Sequence, residues 1–155
     1  MYLVLEAAGR GYDLIVAFHV IEHLHDPRTM ISQLAVALSP NGRMILEVPS
    51  ADDALLTLYD CDASQRFTYW SQHPFLFNAA TLGALVRQAG LRAVAVQHYR
   101  RHSLANHLRW LSKGKPEGHQ RWAFLDTPEL TTAYASSLAA QGETDTLIAY
   151  LEHFD

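Results

Sequence analysis

Residues 19–26 place His19, Glu22, His23, His25 and Asp26 within eight positions. Imidazoles and carboxylates at that density can hold and move protons, because a free histidine titrates near about 6.5. His73 lies further on, in an aromatic stretch, and is a candidate base or substrate ligand. Histidine also ligates metals, and nine histidines in 155 residues make that chemistry worth testing. His19 and His23 are four apart, as are His98 and His102. There is no His-Glu-x-x-His pattern and no cysteine pair. His19 falls at the end of a strand, so its spacing to His23 does not bring two rings to one point. A metal is therefore not expected.

These side chains need elements to position them. Leu14 to Phe18 is apolar without alternation, which predicts a strand covered on both faces, as in a parallel sheet flanked by helices. In such sheets ligands bind beyond the carboxyl ends of the strands, where His19 to Asp26 fall. Asp26-Pro27 reads as an N-cap followed by proline at the first helical position. Met30, Ile31, Leu34, Ala35 and Leu38 give the helix one apolar face. Ser39-Pro-Asn-Gly42 predicts a tight turn, and Arg43 to Val48 a second strand ended by Pro49. From Ser50 to Phe77 periodicity fails, although Ala54 to Tyr59 suits a short helix. A long aromatic connection of this kind is usually functional. Asn78 predicts the cap of a helix with Leu82, Leu85, Val86 and Ala89 inward, closed by Gly90. Leu91 to His98 reads as a third strand, Leu104 to Ser112 as a short helix, and Lys113 to Gly118 as a loop. Thr127-Pro128 opens a helix with Leu130, Ala133, Tyr134 and Leu138 inward, closed by Gly142. Thr144 to Glu152 is the last strand.

The bulk properties fit one soluble domain. Apolar residues make up 49 % of the chain, enough for a packed core, and the formal net charge of −4 disfavours binding driven by phosphate neutralisation. Nucleic acid and membrane partners are accordingly not expected, since no apolar run reaches the roughly 20 residues of a membrane span. One cysteine, Cys61, leaves no internal disulfide and suits a reducing, cytoplasmic setting. Arg100, Arg101, Arg109, Lys113 and Lys115 form a basic group that reads either as solvated surface or as a site for a phosphorylated acceptor.

Three blocks resemble a known family. Tyr12-Asp-Leu-Ile-Val-Ala-Phe-His-Val-Ile-Glu-His-Leu-His-Asp-Pro27 resembles the fourth-strand motif of class I S-adenosylmethionine-dependent methyltransferases. Leu38-Ser-Pro-Asn-Gly-Arg-Met-Ile-Leu-Glu-Val-Pro49 is similar to their next turn and fifth strand. Gln72-His-Pro-Phe-Leu-Phe-Asn-Ala-Ala-Thr-Leu82 through Leu91 is similar to the block after it. The resemblance implies an α/β, Rossmann-like fold with strand order three, two, one, four, five, seven, six and the seventh strand antiparallel. On that scheme residues 1–155 are a single unit, the C-terminal portion of the domain, holding strands four to seven. The glycine-rich cofactor turn has no counterpart, because Ala8-Gly-Arg-Gly11 leads straight into a strand rather than a helix.

By the same resemblance, Phe18, His19 and Val20 lie against the methionine part of S-adenosylmethionine. His19, His23 and His73 are the candidate proton acceptors, and Tyr59, Tyr69 and Trp70 the candidate walls of a small-molecule acceptor pocket. For His19 the plain alternative is a strand cap. For the aromatics it is cover for the sheet. Glu22 is expected to be structural, accepting backbone N–H bonds near a helix start. The expected activity is methyl transfer as part of a longer enzyme, with cofactor binding weak or absent in this chain alone. A truncated, non-catalytic interaction module is the alternative, and a metal-dependent hydrolase a third. With no strand one beside it, Asp13–His19 is expected to be an apolar edge, which predicts a homodimer unless Tyr2 to Leu5 folds back over it.

Overall fold

The structure, a computed structural model, describes residues 11–70 and 72–154. Four strands, β1 (Tyr12–Phe18), β2 (Leu38–Pro49), β3 (Leu91–Tyr99) and β4 (Thr146–His153), form one sheet in the order β1-β2-β4-β3. β1 and β2 are parallel, while β4 runs antiparallel to both β2 and β3. This is the four, five, seven, six arrangement that the resemblance implies. The pairing register puts the ends of β1, β2 and β3 and the start of β4 at one end of the sheet, where Pro49 and Tyr99 both pair with Thr146.

Helices α1 (Pro27–Ala37) and α3 (Ala79–Gln88) cover one face. Ile31 and Ala35 of α1 and Leu82 and Val86 of α3 pack on Met44, Leu46 and Val48 of β2 and on Leu147, Ala149 and Leu151 of β4. Asp26 accepts the Thr29 N–H at 3.0 Å, so the aspartate cap and the following proline act as expected. Asn78 and Thr81 form a reciprocal capping box with bonds of 2.9 and 3.0 Å. Asn78→Ala should cost about 1 kcal/mol, measured as a loss in denaturant midpoint, and no loss would show that the cap is dispensable.

Several local expectations are corrected. The Leu14–Phe18 run is not covered on both faces. Ile15 and Ala17 pack on the core, while Leu14, Val16 and Phe18 are 57, 50 and 52 % exposed on the other face. The helices of the described residues that pack against the sheet core lie on one side only, so an unalternating sequence gives alternating burial. Residues 39–42 do not end the secondary structure. β2 already pairs at Leu38 with Tyr12, then jumps register to match Leu14 with Arg43, so Pro40-Asn41-Gly42 bulges out of a continuing strand.

Residues 54–59 form no helix. Their bonds run irregularly, with Leu56 N–H to Asp53 O but Tyr59 N–H to Ala54 O and Cys61 N–H to Leu55 O, so no repeating turn propagates. The helix of this stretch is α2 (Asp62–Thr68) instead, with the Phe67 ring 5.4 Å from that of Trp110. α4 (Leu104–Lys113) starts where expected. The loop after it contains a further turn of helix, α5 (Gly118–Arg121). In α6 (Pro128–Gln141), Leu138 is buried but Leu130 and Ala133 are exposed, and α6 meets α4 through Tyr134 and His107. Residues Tyr2 to Leu5 lie outside the described part of the chain.

Candidate active site

β1 ends at Phe18, and His19 turns away from the strand in the left-handed region at φ 52°. Its amide still donates to Glu47 O at 2.9 Å, so the ring is set on a fixed base. His19 Nε2 lies 2.9 Å from Glu47 Oε1, and Nδ1 lies 3.2 Å from Glu22 Oε1. The Arg101 guanidinium also reaches Nε2, from 82 residues away in sequence. The Glu22 carboxylate, with Glu47 beside it, holds His19 above the ordinary histidine value, against the opposing pull of desolvation and of Arg101. Both ring nitrogens of His19 are engaged by neighbouring side chains, which suits the ring to orienting the strand end.

Glu22 departs from its expected role. It is fully buried, and its carboxylate accepts no aligned hydrogen bond from the backbone. It faces His19, and more distantly His23 Nε2 at 3.8 Å. The 3-10 turn Ile21–His23, with Ile21 in the core, points that side chain inward.

His23 and His73, 50 residues apart, meet with ring centroids 4.7 Å apart. The Nδ1 of His23 bonds to Gln72 O at 2.6 Å and that of His73 to Thr68 O at 3.2 Å. A carbonyl only accepts, so Nδ1 carries the proton in both neutral rings and Nε2 keeps its lone pair. Both rings are therefore in the tautomer a proton acceptor needs. Trp70 stands edge-on to His73 at 5.7 Å, and Tyr69 beside it is exposed. Phe18 is half exposed and Val20 half buried at the same strand end.

Tyr59 does not join Trp70. Its hydroxyl meets that of Tyr134 at 3.2 Å, and Tyr134 bonds to His107 Nδ1 at 2.8 Å. Burial depresses His107 to about 4, so the ring is neutral near pH 7, and burial with the Tyr59 hydroxyl raises the Tyr134 phenol. Asp145 closes the floor between these clusters, its two oxygens accepting the Arg101 and His102 amides at 2.8 Å each.

The basic group disperses rather than converging. Arg109 donates to Pro116 O, and Arg100 lies over the Tyr134 ring. His98 contacts the Thr144 hydroxyl. Among the described residues no group of three or more histidine, cysteine or acidic side chains is arranged to hold a metal ion. Two shallow clefts of about 320 and 430 Å³, both touching Pro40, His153 and Phe154, lie at the opposite end of the sheet.

Sequence reasoning did not find Glu47, Arg101 or Asp145. Glu47 reads as one polar position in an apolar strand, and Arg101 as one member of a basic run. Asp145 carried one usable signal, an acidic residue just ahead of a buried strand.

Among comparisons with known proteins, a family model described as a methyltransferase domain matches residues 4–96. No curated protein matches the chain. Solved structures share the fold. A methyltransferase from Archaeoglobus fulgidus described as SAM-dependent aligns over 94 % of this chain and 61 % of its own, with TM-score 0.56 and 12 % identity. The mitomycin 7-O-methyltransferase MmcR aligns over 97 and 32 %, with TM-score 0.54 and 14 % identity. A putative methyltransferase solved with the Trm112 activator of Haloferax volcanii aligns over 95 and 56 %, with TM-score 0.54 and 15 % identity. The chain thus spans from about a third to about three fifths of these structures. With the strand order, the antiparallel last strand and the matched family model in hand, the chain belongs to the methyltransferase domain family.

Proposed function

We propose that this chain is the C-terminal portion of an S-adenosylmethionine-dependent methyltransferase domain that acts on a small-molecule acceptor. The observation that carries this reading is the convergence of His19, His23 and His73 at the carboxyl end of β1, in a sheet of methyltransferase order. Phe18, His19 and Val20 would hold the methionine end of the cofactor, which supplies an electrophilic methyl group when bound. The half-exposed Phe18 ring offers apolar surface to the aliphatic chain of that end, beside the backbone turned at His19. Trp70 and Tyr69 would wall the acceptor. His73 Nε2, or His23 Nε2, would take the proton released by the acceptor, while His19, bonded at both ring nitrogens, orients the strand end. Alignment of the acceptor against the methyl accounts for most of such a rate enhancement, with proton removal adding a further factor.

The residues described here build one flank of a cofactor site, so weak binding is expected. Calorimetric titration of the chain with S-adenosylmethionine checks this. A dissociation constant in the high micromolar range or weaker supports a partly built site, and that binding should weaken further in Phe18→Ala. Unchanged affinity in Phe18→Ala would remove Phe18 from the site.

A second reading, a non-catalytic interaction module, is favoured by one observation. β1 is an edge strand among the described residues, and Leu14, Val16 and Phe18 leave apolar surface open on it. Such edges pair with available strands, which supports a homodimer formed through β1. A reducing, cytoplasmic setting suits the free, buried Cys61. Light scattering after size exclusion should give twice the chain mass, and Val16→Lys should return it to the monomer. A monomer at high concentration would rule the pairing out.

A further inference from the structure

We propose that Arg101 is a positioning residue for the end of β1: its guanidinium and the Glu47 carboxylate compete for the same ring nitrogen of His19, so the protonation state of His19 decides whether the Arg101 side chain is tied to the strand end.

The argument is one of donors and acceptors. His19 Nε2 has one bonding direction in the ring plane, and it either donates a proton or offers a lone pair. Glu47 Oε1 stands 2.9 Å from it and can only accept. Arg101 Nη1 also stands within bonding reach and can only donate. Both cannot be satisfied at once. Nδ1 is not contested, because it faces the buried Glu22 carboxylate at 3.2 Å and keeps its proton in either state. The neutral ring is therefore protonated on Nδ1, and Nε2 accepts from Arg101. The charged ring donates from Nε2 to Glu47 and faces Arg101 as a second cation.

Both sides of this contact are fixed, so one side chain carries the exchange. His19 is held by its amide bond to Glu47 O and its left-handed turn. Arg101 and His102 are held by their amides on Asp145. The charged and titratable groups facing the contact are Glu22 and His23 from the 3-10 turn, Glu47 from β2, Arg101 from the segment after β3, and Asp145 ahead of β4. Protonation of His19 frees the Arg101 guanidinium from the ring, and loss of the proton draws it back to Nε2, while the backbone of this segment stays on Asp145. The consequence for methyl transfer rests on the function proposed above, but the exchange itself does not.

The test is a proton–nitrogen NMR titration of the histidine rings and arginine side chains in the intact chain, without cofactor. The Arg101 side-chain signal should titrate with the His19 midpoint. Arg101→Ala should raise that midpoint by about half a pH unit or more, and Glu47→Gln should lower it by a similar amount. An Arg101 side chain that merely packs would change the melting temperature and leave the midpoint in place. That result, or an Arg101 signal that does not follow His19, overturns the proposal. Neither measurement involves S-adenosylmethionine, so its outcome is independent of the calorimetric one.

Discussion

Asp53→Asn should stabilise the protein at pH 8 by about 2–4 kcal/mol and leave its stability near pH 4 unchanged. Burial pushes the Asp53 carboxyl up to about 7, with the charges of Asp145 and Glu143 adding to it and the Leu55 N–H bond opposing it. A folded-state value above the unfolded one means that the folded chain holds the extra proton. The associated stability is complete below about 3.8 and is lost as pH rises toward 7. Asparagine keeps the Oδ1 acceptor that Leu55 N uses at 2.9 Å and carries no charge, so the loss does not occur. His107 works in the opposite sense. Its value, depressed from 6.5 to about 4, costs stability as pH falls through that window. In the native chain the two slopes oppose each other between pH 4 and 6.5. In Asp53→Asn the slope of His107, joined by that of His102, whose value burial also lowers, should appear unopposed by Asp53, as a melting temperature that falls on acidification. A variant that is no more stable than the parent at pH 8, or that is equally stabilised at every pH, would show that Asp53 is not held protonated.

Gly118→Ala should cost about 3 kcal/mol, with a drop in melting temperature of about 6–12 °C. A Cβ at this position would lie 1.9 Å from Ala105 O and 2.5 Å from Asn106 Cα. Those are backbone atoms of α4 and cannot retreat as a side-chain end can. The Gly118 amide, which donates to Asn106 Oδ1 at 3.2 Å, would be pulled off its acceptor as α5 lifts. Gly90→Ala is the matched control. Gly90 has φ 88° with nothing within 4 Å of an added Cβ, so only backbone strain of about 1–2 kcal/mol applies. Equal losses at the two positions would mean that α5 yields easily and that the close approach to α4 is unimportant. A large loss at Gly118 alone would place α5 as the brace behind His107, which stands next to Asn106 in α4.

The helix caps at Asp26, Asn78 and Thr127 and the candidate histidines were legible in the chain because each is a local signal, while the sheet order followed only from the resemblance of the motifs to a family. A strand run, a cap with its proline, or a glycine at a helix end is decided within a few residues. Burial was legible in the helices, where periodicity marked Ile31, Leu82, Val86 and Leu138, but not in β1. Leu14, Val16 and Phe18 look like interior residues, and only the absence of a second helical layer over β1 among the described residues leaves them open. Helix propensity favoured Ala54–Tyr59, yet the helix forms at Asp62–Thr68, and both segments pack around Trp110, so tertiary packing outweighs propensity in short segments.

The site divides in the same way. Residue type marked His19, His23 and His73 as chemical candidates, but only tertiary structure brought His23 and His73 to 4.7 Å and set their tautomers through the Gln72 and Thr68 carbonyls. It also moved Tyr59 away from Trp70 and onto Tyr134. Local sequence determines which elements form and what their ends can donate or accept. Which donor meets which acceptor across 82 residues, as Arg101 meets His19, depends on the closure of the whole sheet, because a hydrogen bond acts over about 3 Å and sequence separation carries no information on that scale.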